Sequence, residues 1–224
     1  MTYSIIQVNT NNYDTVYECN DLDAQKRLLF TDTEHNTKNW DQIKITSSKT
    51  FPFDDIFSIR WNPFAFTDSD YVIWIDGSIA ITGSVKSYID EMIKSDADFA
   101  TLKHPFRDNI KSEYYEWCRL RNYDKMQAFK WMAHMEENGW NPDNKGLYQV
   151  NICIFKNTPR VKEFGNAVIK ELHTFNGEHV ERLDQTVVTY LLKTKFKDLK
   201  IFELDEKMYQ HKIPLLHHWN HPAR

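Results

Sequence analysis

The sequence predicts a single α/β domain over residues 1–224, with a mainly parallel central sheet flanked by helices. Three observations carry that expectation. Short β-branched and aromatic runs bounded by turn residues alternate along the chain with segments whose apolar residues recur at helical spacing. The run "YVIWI" at 71–75 is apolar throughout, as a strand covered on both faces must be. At 224 residues, 41% of them hydrophobic, the chain supports one sizeable core and shows no repeat or linker.

The elements follow in order. "YSIIQVNT" (3–10) reads as a strand ending in the turn-prone "NTNNYD". "KRLLFTDTE" (26–34) and "DQIKITSS" (41–48) read as second and third strands. "PFDDIFSIRWNPFAF" (52–66) is helical before Pro63. The "YVIWIDG" strand comes next. Val85, Tyr88, Ile89, Met92 and Ile93 mark a helix in "GSVKSYIDEMIKS". "ADFATLKHP" (97–105) is a strand, and residues 109–139 form a long helical region broken near Asn122. "GLYQVNICIFKN" (146–157) is a strand. "RVKEFGNAVIKELHTF" and "DQTVVTYLLKTK" are helices, and "LKIFELDE" is a late strand. The tail at about 209–224, "YQHKIPLLHHWNHPAR", is read as irregular and His-rich.

Composition narrows the function. The net charge of −4 leaves no basic footprint for nucleic acid. No apolar run reaches the length of a membrane span, and "MTYSIIQVNTNN" lacks the charged start and long apolar stretch of a signal peptide. Cys19, Cys118 and Cys153 are odd in number and lie far apart, which fits free thiols in a reducing compartment. A cytoplasmic protein, or a catalytic domain of a longer chain, is the expectation. An aromatic content of 14% suits a mixed core, and also a site that stacks bases or sugars.

The chemistry gathers at strand ends. In open α/β sheets, ligands collect outside the carboxyl ends of the strands. Asn9, Asn11, Asp32, Asp76 and His104 all stand at such ends, and Gly77 permits close approach of a phosphate or a metal to the backbone. The plainer reading of Asp76 and Gly77 is a strand-ending turn. Asp184 is equally a helix cap, and Asn151 equally a buried strand amide.

A hydrophobic strand ending in Asp with a polar residue two positions on resembles the DxD signature of nucleotide-sugar glycosyltransferases of the GT-A fold, a Rossmann-like arrangement. The longer stretch "IRWNPFAFTDSDYVIWIDGSIAI" resembles an uncharacterised plant and bacterial glycosyltransferase-like family through Arg60, Asn62, Pro63, Tyr71, Trp74, Asp76 and Gly77. "KHPFRDNIKSEYYE" matches its His-x-x-Arg and acidic helix through His104, Arg107 and Glu113 or Glu116, and "ERLDQTVVTYLL" its Asp-Gln. The likeness covers roughly residues 25 to 200. It departs from DxD at Ser78, which stands where a second Asp is usual.

The resemblance implies sugar transfer from a nucleoside-diphosphate sugar, UDP-sugar first, to a glycan or other hydroxyl acceptor. Donor contacts are expected from Val8, Asn9, Asn11, Asp32, Arg60, Asp76, Gly77, Ser78, His104 and Arg107. Acceptor contacts are expected from Asn151, Asp184 and Gln185. Asp184 is the first candidate base, with Glu113 and Glu116 behind it. A divalent cation, Mn²⁺ or Mg²⁺, would rest on Asp76 and Ser78, completed by His217 or His218 from the tail; Trp219 would stack on a base or close the site. Three alternatives stay open: a non-catalytic carbohydrate- or nucleotide-binding domain, a sugar-phosphate nucleotidyltransferase (whose Gly-rich basic loop "NTNNYDTVYE" lacks), and a zinc protein built on the tail histidines.

Overall fold

The computed structural model describes residues 1–46, 52–120, 123–174, 183–205 and 215–217. Its centre is a seven-stranded sheet in the order β3-β2-β1-β4-β7-β6-β8. The strands are β1 (Tyr3–Asn9), β2 (Lys26–Thr31), β3 (Asp41–Lys44), β4 (Tyr71–Ile75), β6 (Phe99–Lys103), β7 (Tyr148–Lys156) and β8 (Ile201–Leu204). Strand β5 (Ile79–Ile81) lies outside this sheet and pairs with β9 (Leu215–His217). The helices are α1 (Pro52–Trp61), α2 (Lys86–Lys94), α3 (Ile110–Leu120), α4 (Lys125–Glu137), α5 (Pro159–Leu172) and α6 (Asp184–Lys193).

Pairing is parallel from β3 through β4 and between β6 and β8, whereas β7 runs antiparallel to both of its neighbours. Strand alternation sorts the core. Ile6, Val8, Val72 and Trp74 face α1, α3, α4, α5 and α6, while Ile5, Ile73 and Ile75 face α2 and β5. Central strands β1 and β4 are buried along their whole length; β4 is apolar throughout, while in β1 the buried Ser4 bonds the Thr67 and Ser69 hydroxyls and Gln7 donates to the Asp76 and Ile79 carbonyls.

Local chemistry sets the boundaries. Asp124 caps α4 by accepting the Met126 N–H at 2.8 Å, and Thr158 caps α5 at Val161 ahead of Pro159, each satisfying an otherwise orphaned donor. The break near Asn122 is borne out by separate α3 and α4. Two expectations change. The tail is not wholly irregular: Leu215–His217 form a strand on β5, as alternating pairing across a short apolar run allows. Asp184 is not the cap of α6; Leu183 holds that position and Asp184 lies in the first turn.

The long β1–β2 connection is held by a buried carboxylate. Asp21 accepts from the Tyr3 hydroxyl at 2.8 Å and from the Val85 N–H at 2.7 Å, so it ties that connection to the start of α2. Helix α5 meets α1 with no room to spare. A Cβ at Gly165 would fall 1.9 Å from the Trp61 carbonyl oxygen, which is backbone and cannot swing away. Gly165→Ala is therefore expected to lower stability by about 1–3 kcal/mol, read from the urea midpoint at unchanged m-value.

Candidate active site

The order β3-β2-β1-β4 marks where the chain reverses its direction of travel across the sheet. The crevice beyond the carboxyl ends of β1 and β4 is the place where such sheets take ligands. Residues 9–14 follow β1 and residues 76–78 follow β4. Asn11 and Asn12 both have positive φ, 56° and 50°, and the Tyr13 N–H bonds the Thr10 carbonyl at 3.1 Å, the φ signature of a type I′ turn, which asparagine tolerates. The turn is steadied by Asp32, whose carboxylate accepts the Asn11 N–H at 2.9 and 3.0 Å. Asn9 is buried, and its side chain is spent on the backbone of Asp14: Nδ2 donates to the carbonyl at 2.6 Å and Oδ1 accepts the N–H at 3.3 Å.

Gly77 packs against that same loop. A Cβ there would lie 2.9 Å from Asp14 Oδ2 and 3.2 Å from the Val8 carbonyl. Glycine is needed for close approach here, and Asp14 stands beside the turn. Asp14 left no signal in the sequence: it lies in a polar loop, and the clamp from Asn9 reaches only its backbone.

Beneath the turn lies a buried ion network. Arg60, at the end of α1, donates from Nη1 to Asp184 Oδ2 at 2.6 Å and from Nη2 to Asp76 Oδ1. Trp61 Nε1 reaches Asp184 Oδ2 at 3.2 Å, and Trp74 Nε1 reaches Asp76 Oδ1 at 2.9 Å. The guanidinium stacks 4.5 Å over the Trp74 ring, a cation–π contact. The Arg60 side chain is 7% exposed and faces the two carboxylates, the structural pairing that sequence reading held open beside a contact to the donor diphosphate. Burial works against its charge, but Asp76 and Asp184 outweigh that and hold its pKa above the ordinary value. Burial pushes the Asp76 carboxyl up; Arg60 and Trp74 pull it back, and Asp184 and Asp14 add to the rise. The Asp76 side chain keeps 33% exposure, with both of these bonds on Oδ1.

A second network adjoins it. Glu113 is fully buried and accepts from Arg107 Nε, from Trp117 Nε1 at 2.7 Å and from Gln185 Nε2. Asp184 and Gln185 are neighbours, so the first turn of α6 joins the two networks. His104, at the end of β6, accepts the Phe106 and Arg107 N–H groups on Nδ1 at 3.2 and 3.1 Å. The Arg107 guanidinium lies against its other nitrogen. Burial, and then the Arg107 charge, push the His104 pKa down to about 4.

Strand β7 adds the far wall. Because it runs antiparallel, its first half reaches the same rim, and the Asp76 N–H bonds the Asn151 carbonyl at 2.9 Å. The β6–β7 register shifts between Thr101 and Leu102. Val150 and Cys153 consequently face the same core, the mark of a bulge, a device that re-aims side chains beside sites.

No protein-family profile and no curated protein matches this chain.

The expected residues thus fall into place as follows. Asp76, Arg60 and Asp184 meet directly, as do His104, Arg107, Glu113 and Gln185. Val8, Asn9, Asn11, Asp32, Gly77, Ser78 and Asn151 line or support the β1–β4 crevice. Glu116 stands apart, paired with Arg119 at 2.7 Å, which holds its carboxyl below the ordinary range. The β5–β9 pairing sets the His217 backbone opposite Ile79; the side chains of His217 and His218, and Trp219, lie outside the described residues. Among the described residues no three of His, Cys, Asp and Glu converge on a metal position, Asp76 is already partnered by a guanidinium, and Ser78 is buried and uncharged. These donors alone do not make a divalent-cation site.

Two measurements probe the networks. Arg60→Met leaves Asp76 and Asp184 without their shared cation, and is expected to lower stability by about 3–5 kcal/mol, read by chemical denaturation. For His104, the unfolded chain takes up its proton near the ordinary value of 6.5 while the folded chain does not until about pH 4. Its contribution is whole above pH 6.5 and is lost as pH falls through that window, by about 3 kcal/mol. His104→Gln is expected to flatten the stability-versus-pH curve between pH 6.5 and 4 relative to the parent.

Proposed function

We propose that this chain is a nucleotide-sugar-dependent glycosyltransferase of the GT-A type, moving a sugar from a nucleoside-diphosphate sugar, UDP-sugar first, to a glycan or other hydroxyl acceptor. The observation that carries the reading is the setting of Asp76. Its carboxylate is anchored by Arg60 and Trp74 at the carboxyl end of a central strand, at the reversal point of the sheet, and keeps a third of its surface open beside Gly77. A carboxylate so fixed is preorganised to accept hydrogen bonds from donor hydroxyls.

The neighbours supply the rest. The turn at Asn11 and Asn12, braced by Asp32, offers the β1 side of the crevice to the nucleoside. Arg107 is a quarter exposed and is the cation of the network nearest solvent, suited to a diphosphate. Asn151 and the first turn of α6 form the acceptor side. In this reading Glu113 and Asp184 are positioning residues: their carboxylates orient Arg107, Gln185 and Arg60. No step is assigned to a metal.

The saturation of Glu113 and Asp184 with donors also favours a second reading, a domain that binds a nucleotide sugar without turning it over. Calorimetric titration with UDP- and GDP-sugars, with and without Mn²⁺, together with product analysis, separates the two. Binding with donor hydrolysis or transfer supports the enzyme, and binding alone supports the second reading. Asp76→Asn is expected to weaken donor binding by about tenfold, or about 1.4 kcal/mol, read at a temperature where the variant is fully folded, because loss of a carboxylate from the Arg60 network also lowers the melting temperature. Undiminished affinity and turnover in that variant would overturn the assignment of Asp76.

A further inference from the structure

Helix α4 carries two apolar faces. Ala128, Trp131, Met132 and Met135 are buried in the core, the usual stripe of a helix packed on one side. Met126 and Phe129, one turn apart, are 60% and 52% exposed. Across from them on α3 stands Tyr115, itself 51% exposed. Between the two helices is a cavity of about 420 Å³, lined by Tyr115, Cys118, Arg119, Lys125, Phe129 and Met132, with Ala128 at its floor. It is not part of the rim. At about 100° per residue, Tyr115, Cys118 and Arg119 lie on the side of α3 opposite Glu113, the residue that faces the first site.

We propose that this groove binds one monomeric anionic amphiphile, an aryl or short acyl chain bearing a carboxylate, sulfonate or phosphate. Three features select that occupant. The volume falls at the lower end of the range of small-molecule sites, roughly 300–1,000 Å³, and a concave slot suits one molecule better than the flat face of a bilayer. The walls are aromatic and thioether side chains, which give up water readily to an apolar body. The two charged residues of the lining, Arg119 and Lys125, are both cations and both exposed. Arg119 shares its charge with Glu116 at 2.7 Å, so the exposed Lys125 carries most of the attraction for an anionic head. The proposal does not depend on the transferase reading, because nucleotide titrations report on the β1–β4 rim.

Anilinonaphthalene sulfonate, an aryl anion whose fluorescence rises on burial, is the probe. Expected are one bound molecule per chain, displacement by decanoate but not by decyltrimethylammonium, and protection of Cys118 from maleimide at alkaline pH. Cys118 is the informative thiol, since Cys19 and Cys153 are buried. Lys125→Glu and Phe129→Ala are each expected to weaken the probe about tenfold with the melting temperature in place. If either variant lowers the melting temperature, Cys118 protection in the parent chain decides. Absence of probe binding, equal displacement by the cationic amphiphile, or full affinity in both variants would overturn the proposal. So would binding to anionic phosphatidylglycerol vesicles without binding of the monomer, which assigns the face to a bilayer. A concentration-dependent dimer abolished by Phe129→Ser would assign it to a second copy.

Discussion

One buried guanidinium organises the rim. Arg60 arrives from the end of α1, Asp76 from the end of β4 and Asp184 from the start of α6, so three elements distant in sequence are fixed to one charge. Removing two carboxylates and a guanidinium from water is expensive, and attraction offsets that only where geometry is good and further hydrogen bonds are made. Here Trp61 and Trp74 supply them. The network therefore specifies geometry more than it adds stability. It fixes where the loop after β4 stands and how far α6 approaches it.

The Glu113 network extends the same logic. A fully buried carboxylate holds Arg107 from one loop and Gln185 from α6, so the loop after β6 is tied to the first network through consecutive residues of one helix turn. Seen this way, the rim is assembled from side chains that mostly face one another, with Asp76 and Arg107 as the members that keep contact with solvent.

Much of the fold was legible in the chain. The continuous apolar run at 71–75 identified a central strand, because a strand covered on both faces has no polar alternation to hide it. The helices announced themselves by spacing. What stayed hidden depends on partners distant in sequence. Nothing local in "QVNICIF" says that this strand runs against its neighbours, and two leucines before a histidine in a polar tail are too few to declare a strand. For the site, Asp76 and His104 were singled out as polar residues at strand ends, and Arg60, Asp184, Arg107 and Glu113 through the resemblance to glycosyltransferase motifs. Their mutual pairing was not legible, since a salt bridge between residues 60 and 184 leaves no periodic trace. That is why sequence reading left Arg60 between a ligand contact and structural pairing, and could name neither of its two carboxylates.

The contact of Gly165 with the Trp61 carbonyl reaches further than helix packing. The carbonyl it presses on belongs to the residue after Arg60, so the place of the central charge is inherited from the surface of α5. A lineage that acquired any side chain at position 165 would have to relocate the 61–62 peptide. Substitutions on that outer helix should accordingly drift in step with changes around residues 74–76 and 184, the partners of the charge it positions.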